Sequence, residues 1–235
     1  AYQKLEALIQ LLGNEKPADD IDTNISWSAP TWSTTLVPLR AGIGIIQEIS
    51  SLVIEEVKFA NNFAEWVSLF IFQENKGPIS SLKRSSFVDN ESISGGTIEI
   101  DSTNLEIESS VFKHNLSSRL SPGIRAKGSD IVVKKSRFTH SNEDEFVEGT
   151  HQVLIASANT PAPVIGGHFV LELDTTATIT ETEFYSSMAG RGGAIYIEQS
   201  QEVVVTKCTF KNLLADHGGA IYGNFPGNLK ITSSD

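Results

Sequence analysis

Gly192-Gly193-Ala194-Ile195-Tyr196-Ile197 returns twenty-six residues later as Gly218-Gly219-Ala220-Ile221-Tyr222, with Phe210 between the two copies. Gly95-Gly96-Thr97-Ile98-Glu99-Ile100 and Gly166-Gly167-His168-Phe169-Val170-Leu171 are further copies, and Ala41-Gly42-Ile43-Gly44-Ile45-Ile46 reads as a degenerate first one. A ladder of Phe accompanies them: Phe59, Phe87, Phe112, Phe138, Phe184 and Phe210, spaced by 28, 25, 26, 46 and 26 residues. A period near 26 marks a solenoid, in which no single repeat buries its own apolar face.

Aligning the segments on Phe gives each position a role. Five residues before it stand Ile54, Leu82, Ile107, Val133, Ile179 and Val205, and seven before it Leu52, Ser80, Leu105, Ile131, Ala177 and Val203. These two columns share one face of a strand, because side chains alternate with period two. Two before the Phe is a small column, Val57, Ser85, Ser110, Ser136, Thr182 and Cys208, suited to a tight inner corner. Three after it come Asn62, Asn90, Asn115, Ser141, Ser187 and Leu213; the Asn members can bond their own backbone and the equivalent Asn one coil away. The Gly pairs allow the positive φ of a sharp corner, and β-branched residues fill the strands. The pattern predicts an all-β fold, a right-handed parallel β-helix. Six or seven coils would make a body roughly 30 Å long.

The chain has 235 residues, 40% apolar and 20% charged, with a net charge of −11. That balance argues against nucleic acid and against anionic membrane surfaces as partners, and keeps an edge-rich scaffold in solution. No apolar run approaches the length of a membrane span. The first residue is not Met and no signal segment is evident, so the chain reads as a mature or truncated one. The single cysteine, Cys208, falls in the small inward column and reads as a buried thiol. Leu229 and Ile231 match the two apolar columns, so the next Phe would fall at position 236. More coils, or a neighbouring subunit, are expected to complete the last one.

Two regions are expected, an N-terminal cap over 1–40 and the β-helix over 41–235. Leu5, Leu8, Ile9 and Leu12 lie at helical spacing within Tyr2 to Leu12 and predict a short α-helix covering the first coil. Residues 15–40 read as an irregular segment, in which Trp27 and Trp32 are candidate ligand contacts. An insertion over about 142–165 carries Glu143, Asp144, Glu145, Glu148 and His151. It is the best candidate for a specific contact, because loops on rigid scaffolds carry function; its spacing matches no calcium loop.

Catalytic residues are not evident. His114 and His140 occupy the same column and should be neighbours, but that column holds Asn61, Asp89, Ser186 and Asn212 elsewhere and reads as a polar outward column. A glycan-cleaving β-helix needs carboxylates stacked on one face, and Glu172, Asp174 and Glu198 do not read as stacked in register with further acids. Asp216-His217-Gly218-Gly219 lacks the paired aspartates of a polygalacturonase. No metal or cofactor is expected. Sequons at Asn24, Asn90 and Asn115 are candidate glycosylation sites.

The pairing of Gly-Gly-Ala-Ile with Phe-x-x-Asn resembles the repeat motifs of the chlamydial polymorphic membrane proteins; similar repeats occur in large surface proteins of other bacteria and of protists. Gly192-Gly193-Ala194-Ile195 and Gly218-Gly219-Ala220-Ile221 match the first motif. Phe59-Ala60-Asn61-Asn62, Phe87-Val88-Asp89-Asn90 and Phe112-Lys113-His114-Asn115 match the second, while later Phe segments carry Ser or Leu in place of Asn. The resemblance covers residues 41–235 and implies an extracellular or cell-surface passenger, used for adhesion or as a stalk. The chlamydial membrane barrel, and with it autotransport, is not carried over.

The expectation is therefore a non-enzymatic structural or adhesive β-solenoid outside the cell. Its unpaired edges would stack head-to-tail into a homo-oligomer or filament. A glycan-binding module built on Trp27, Trp32 and the 142–165 loop is the alternative, and a pectate-lyase-like enzyme is a lesser one.

Overall fold

The computed structural model describes residues 24–28, 44–47, 51–64, 69–73, 79–92, 95–117, 121, 123–139, 165–224 and 227–235. The helix expected over Tyr2 to Leu12 lies outside these residues, as do Trp32, His140 and residues 142–164 of the insertion. Among the described residues there is strand and turn but no helix.

Three long sheets, with a short three-stranded one through Phe63–Ala64, Glu91–Ser92 and Leu116–Ser117, wrap one core as a right-handed parallel β-helix. The first runs from β1 (Asn24–Ser28) through β3 (Ser51–Glu55), Ser80–Lys83, Asn104–Glu108, Asp130–Lys134, Thr176–Thr180 and Glu202–Thr206 to Asn228–Thr232. A seven-stranded sheet runs from β2 (Gly44–Gln47) through Phe70–Gln73, Ile98–Asp101, Ile124–Lys127, Phe169–Glu172 and Ile195–Glu198 to Ile221–Asn224. The six-stranded sheet begins at Lys58–Ala60, ends at Thr209–His217 and carries the Phe ladder. β1 alone among the described strands runs antiparallel to its neighbour, with Asn24 opposite Glu55 and Ser28 opposite Ser51. The stretch expected to be irregular therefore contains a strand, laid on the first coil.

The Phe rings stack along the axis. Centroids are 5.3 Å apart for Phe59–Phe87, 4.4 Å for Phe87–Phe112 and 4.5 Å for Phe112–Phe138. Phe138 and Phe184 lie 5.5 Å apart although 46 residues separate them. The insertion thus leaves the register intact, and Phe210 continues the stack at 5.1 Å. Offset-stacked rings gain about 0.5–1.5 kcal/mol per pair beyond area burial.

The small column works by hydrogen bonding as well as by size. The N–H of Val57 donates to Ser85 Oγ at 3.3 Å, that of Ser85 to Ser110 Oγ at 3.2 Å and that of Ser110 to Ser136 Oγ at 3.2 Å. The Ser136 N–H reaches Thr182 Oγ1 at 3.5 Å across the insertion, and the Cys208 N–H reaches Ser234 Oγ at 3.1 Å. Each hydroxyl donates to the carbonyl two residues before it, as Ser110 Oγ does to Glu108 O at 3.0 Å. A buried N–H without a partner is costly, so the corner selects hydroxyls. The Asn ladder does the same at the next corner. Asn62 Nδ2 donates to Asn90 Oδ1, and Asn90 Nδ2 to Asn115 Oδ1, both at 2.8 Å.

The corners correct one expectation. Most left-handed residues are not glycines: Glu56, Arg84, Ser109, Lys135, Glu181 and Lys207, each three before a Phe, have φ of 47° to 58°. Asn61, Asp89, His114, Ser186 and Asn212, two after a Phe, have φ of 48° to 57°. Left-handed non-Gly backbone costs about 1–2 kcal/mol, which inter-coil bonds offset, such as Arg84 N–H to Glu108 O at 3.0 Å. The Gly pairs divide their labour. In three of the four pairs the first residue takes the positive φ, as Gly192 does at 66°. The second keeps clear of the next coil, since a Cβ at Gly193 would lie 2.0 Å from Gly219 O.

Charges outside the barrel pair from coil to coil. Glu106 meets Lys134 at 2.9 Å and Lys83 at 3.8 Å, and Arg84 meets Glu56 at 2.9 Å and also Glu55. A hydrogen bond from Lys134 holds the Glu106 carboxyl below its ordinary value, and the same bond holds Lys134 above its own.

Phe112→Ala should cost about 3–5 kcal/mol in denaturant unfolding, and Ser110→Ala about 1–3 kcal/mol by orphaning the Ser85 N–H. Burial pushes the Cys208 thiol up, so a soluble disulfide reagent should label it only after denaturation. The half-exposed Glu106–Lys134 pair should contribute about 0.2–1 kcal/mol. Because its carboxylate is depressed and its amine raised, that contribution holds between about pH 4 and 10 and fades outside. The stability difference between wild type and Glu106→Gln should therefore vanish on acidification.

Candidate functional site

On the outer face of the seven-stranded sheet, pairing places Glu99, Arg125, Val170, Tyr196 and Tyr222 in one column. Asp101, Lys127, Glu172, Glu198 and Asn224 form the next. Both columns point outward because Ile98, Ile100, Ile195 and Ile197 take the inward positions of the same strands. Glu172 and Glu198 are register partners, so two carboxylates stand side by side where the sequence suggested none were stacked. Register across the insertion, not spacing along the chain, brings them together.

Both carboxylates are engaged. Arg125 spans two coils, with Nη1 at 3.3 Å from Glu99 and Nη2 at 2.9 Å from Glu172. Asn224 Nδ2 donates to Glu198 at 3.0 Å. Tyr196 is 3% exposed. Burial, with Glu198 beside it, raises the phenol above its ordinary value, against opposing hydrogen bonds from Arg191 and Asn224. It therefore stays protonated and serves Glu198 as a donor.

Tyr196 and Tyr222 stack at 5.6 Å with rings 6° from parallel. The Arg191 guanidinium lies 5.6 Å from the Tyr222 centroid, within cation–π range, and His217 lies 6.4 Å from that ring. Arg191 and His217 are register partners, and Ile165 bridges to Arg191. The chain thus returns from the insertion beside this platform. With Tyr196 buried, the surface here offers the partly exposed Tyr222 ring, the exposed Arg191 guanidinium and the Asn224 amide, a set able to hold a polar planar ligand. The Tyr that follows each Gly-Gly-Ala-Ile was visible in the sequence as a repeat; its outward direction was the signal left unread.

The other expected sites are scattered. His114 Nδ1 lies 3.3 Å from Asp89 Oδ1, and its Nε2 is buried without a partner. His168 is buried, with Nε2 3.2 Å from Tyr185 O. Among the described residues no cluster of three His, Cys, Asp or Glu could hold a metal ion, and no helix is long and apolar enough to cross a membrane. Trp27 lies in β1, opposite Leu52. Asn24 lies at the start of the same strand.

Two of the glycosylation candidates need correction. Asn90 and Asn115 are 0% and 4% exposed, and their Nδ2 atoms donate to Asn115 Oδ1 and Phe87 O. A glycan on either would break the ladder. The repeat residues Phe59, Asn62, Phe87, Phe112, Phe138, Phe184, Gly192 and Gly193, with Phe210, Gly218 and Gly219 in the last turns, occupy corners and core.

The profile of the right handed beta helix region matches residues 80–235, more than half of the chain. No curated protein and no solved structure matches it. With the parallel coils and the inward columns already established, the chain belongs to the right-handed β-helix family.

Proposed function

We propose that this protein is a non-enzymatic structural or adhesive rod, working outside the cell or at its surface. The observation that carries this reading is the use of the outward charges. Lys83, Arg84, Arg125 and Lys134 bind carboxylates on neighbouring coils, so the groups that would act as acids, bases or ligand clamps tie coils together instead. Such pairs are individually weak, but repeated along the axis they stiffen a rod. The Gly-Gly-Ala-Ile and Phe-x-x-Asn motifs support the finer reading of a surface passenger like those of the chlamydial polymorphic membrane proteins.

A second reading has one observation in its favour. The partly exposed Tyr222 ring, backed by the buried Tyr196 and with Arg191 and Asn224 beside it, has the composition of a glycan-binding face. The paired Glu172 and Glu198 would then orient hydroxyls.

Negative-stain microscopy should give straight particles of uniform width. Incubation with acidic and neutral polysaccharides should release no new reducing ends. Sustained cleavage that Glu172→Gln or Glu198→Gln abolishes would overturn the non-enzymatic reading. A glycan array compared with Tyr222→Ala separates the two readings: binding lost in the variant favours the glycan module, and no binding in either favours the rod.

A further inference from the structure

The outer face of the six-stranded sheet carries a charge opposite to that of the chain. Residues on either side of each Phe point outward there, because the Phe rings fill the core. The column before the Phe holds Lys58, Arg137 and Glu183, and the column after it holds Lys113 and Lys211. Cations thus outnumber carboxylates on this face, on a chain whose net charge is −11.

The acids nearest this face are engaged. Glu183 lies 3.7 Å from Arg137. At the flanking corners Glu56 meets Arg84 at 2.9 Å, Glu181 meets Lys207 at 3.8 Å and Asp89 meets His114 at 3.3 Å. Among the described residues no carboxylate pairs with Lys58, Lys113 or Lys211, and Lys58 and Lys211 are exposed. The eight-stranded sheet behaves differently, since its Lys83 and Lys134 both meet Glu106.

We propose that this face binds a sulfated polysaccharide, laid along the rod axis with its sulfates on Lys58, Lys113 and Lys211. Lys58 and Lys113 stand two coils apart, and Lys113 and Lys211 three, or roughly 10 and 14 Å. A linear polymer reaches all three, and a small anion does not. The partner must be densely charged, because a chain of this net charge repels a weakly anionic one and counterion release grows with the charges neutralised. In contact, charges beyond about 8 Å are screened, so the local cations decide what is held. Nucleic acid has the charge density but finds no stacking surface here, since the Arg137 guanidinium already lies 4.8 Å over the Tyr185 ring. A duplex would also overlie the acidic corners. The inference deepens the adhesive side of the rod reading, and it can fail while the rod stands.

The test measures binding of the full chain to heparin, a sulfated probe, across a salt series, with hyaluronate, charged by carboxylates alone, and neutral dextran beside it. Lys113→Gln with Lys211→Gln removes two cations from the face. Lys83→Gln with Lys230→Gln removes two from the eight-stranded sheet and leaves the same net charge. Circular dichroism checks that both doubles fold.

Heparin should bind, hyaluronate more weakly and dextran not at all. The face double should weaken heparin binding about tenfold or more and lower its salt dependence. The control double and Tyr222→Ala should bind as wild type does. No heparin binding by the wild type overturns the proposal, as does equal weakening in the two doubles, which would make net charge the cause. Loss of binding in Tyr222→Ala moves the site to the other sheet and overturns it too. Hyaluronate or duplex DNA held as tightly as heparin overturns the choice of a sulfated glycan. Binding that appears only when Glu143, Asp144, Glu145 and Glu148 are made amides overturns it in favour of the chain's own acidic segment.

Discussion

The backbone hydrogen bonds between successive coils set the constraint from which the rest of this structure follows. They hold neighbouring strands about 4.8 Å apart, so every side chain meets the residue one coil above and below it. Inside the barrel, that spacing admits only columns that stack on themselves. Phe rings do so face to face, Asn amides by donor to acceptor, and Ser or Thr hydroxyls by bonding a buried corner N–H. Each solution satisfies a backbone or ring that has no water to turn to. Cys208 continues the hydroxyl column with a weaker polar atom, its Sγ lying 3.4 Å from Thr206 O.

Outside the barrel the same spacing makes like charges in a column repel and opposite charges attract. Glu55, Lys83, Glu108 and Lys134 alternate in sign along one column, which then passes into Thr180, Thr206 and Thr232. The net charge of −11 therefore sits on a lattice whose cations are placed between carboxylates. The seven-stranded sheet departs from this scheme where Val170, Tyr196 and Tyr222 replace the charges, and it is there that the surface becomes aromatic.

The largest sheet holds one departure from the parallel scheme. β1 lies antiparallel on β3, from Asn24 opposite Glu55 to Ser28 opposite Ser51, while the other pairings among the described strands are parallel.

Much of this was legible in the sequence because a solenoid converts spatial contact into sequence period. The inward columns, the Phe stack and the Asn ladder could be read by counting from each Phe, and the insertion could be recognised because it added to one interval without changing the columns. The non-glycine corners were not legible, since Glu56, Arg84 and Lys135 carry no local mark of left-handed backbone. What forces them is the inter-coil bond made by their own N–H. Nor was the Glu172–Glu198 pairing visible, because which outward residues meet depends on register across the turns. The sequence by itself determined the repeat, the core and the parallel course of the coils, each being periodic. Only the tertiary structure decided which outward groups became partners, which buried amides were unavailable and which strand lay antiparallel on β3, because those depend on contacts between strands that no single repeat contains.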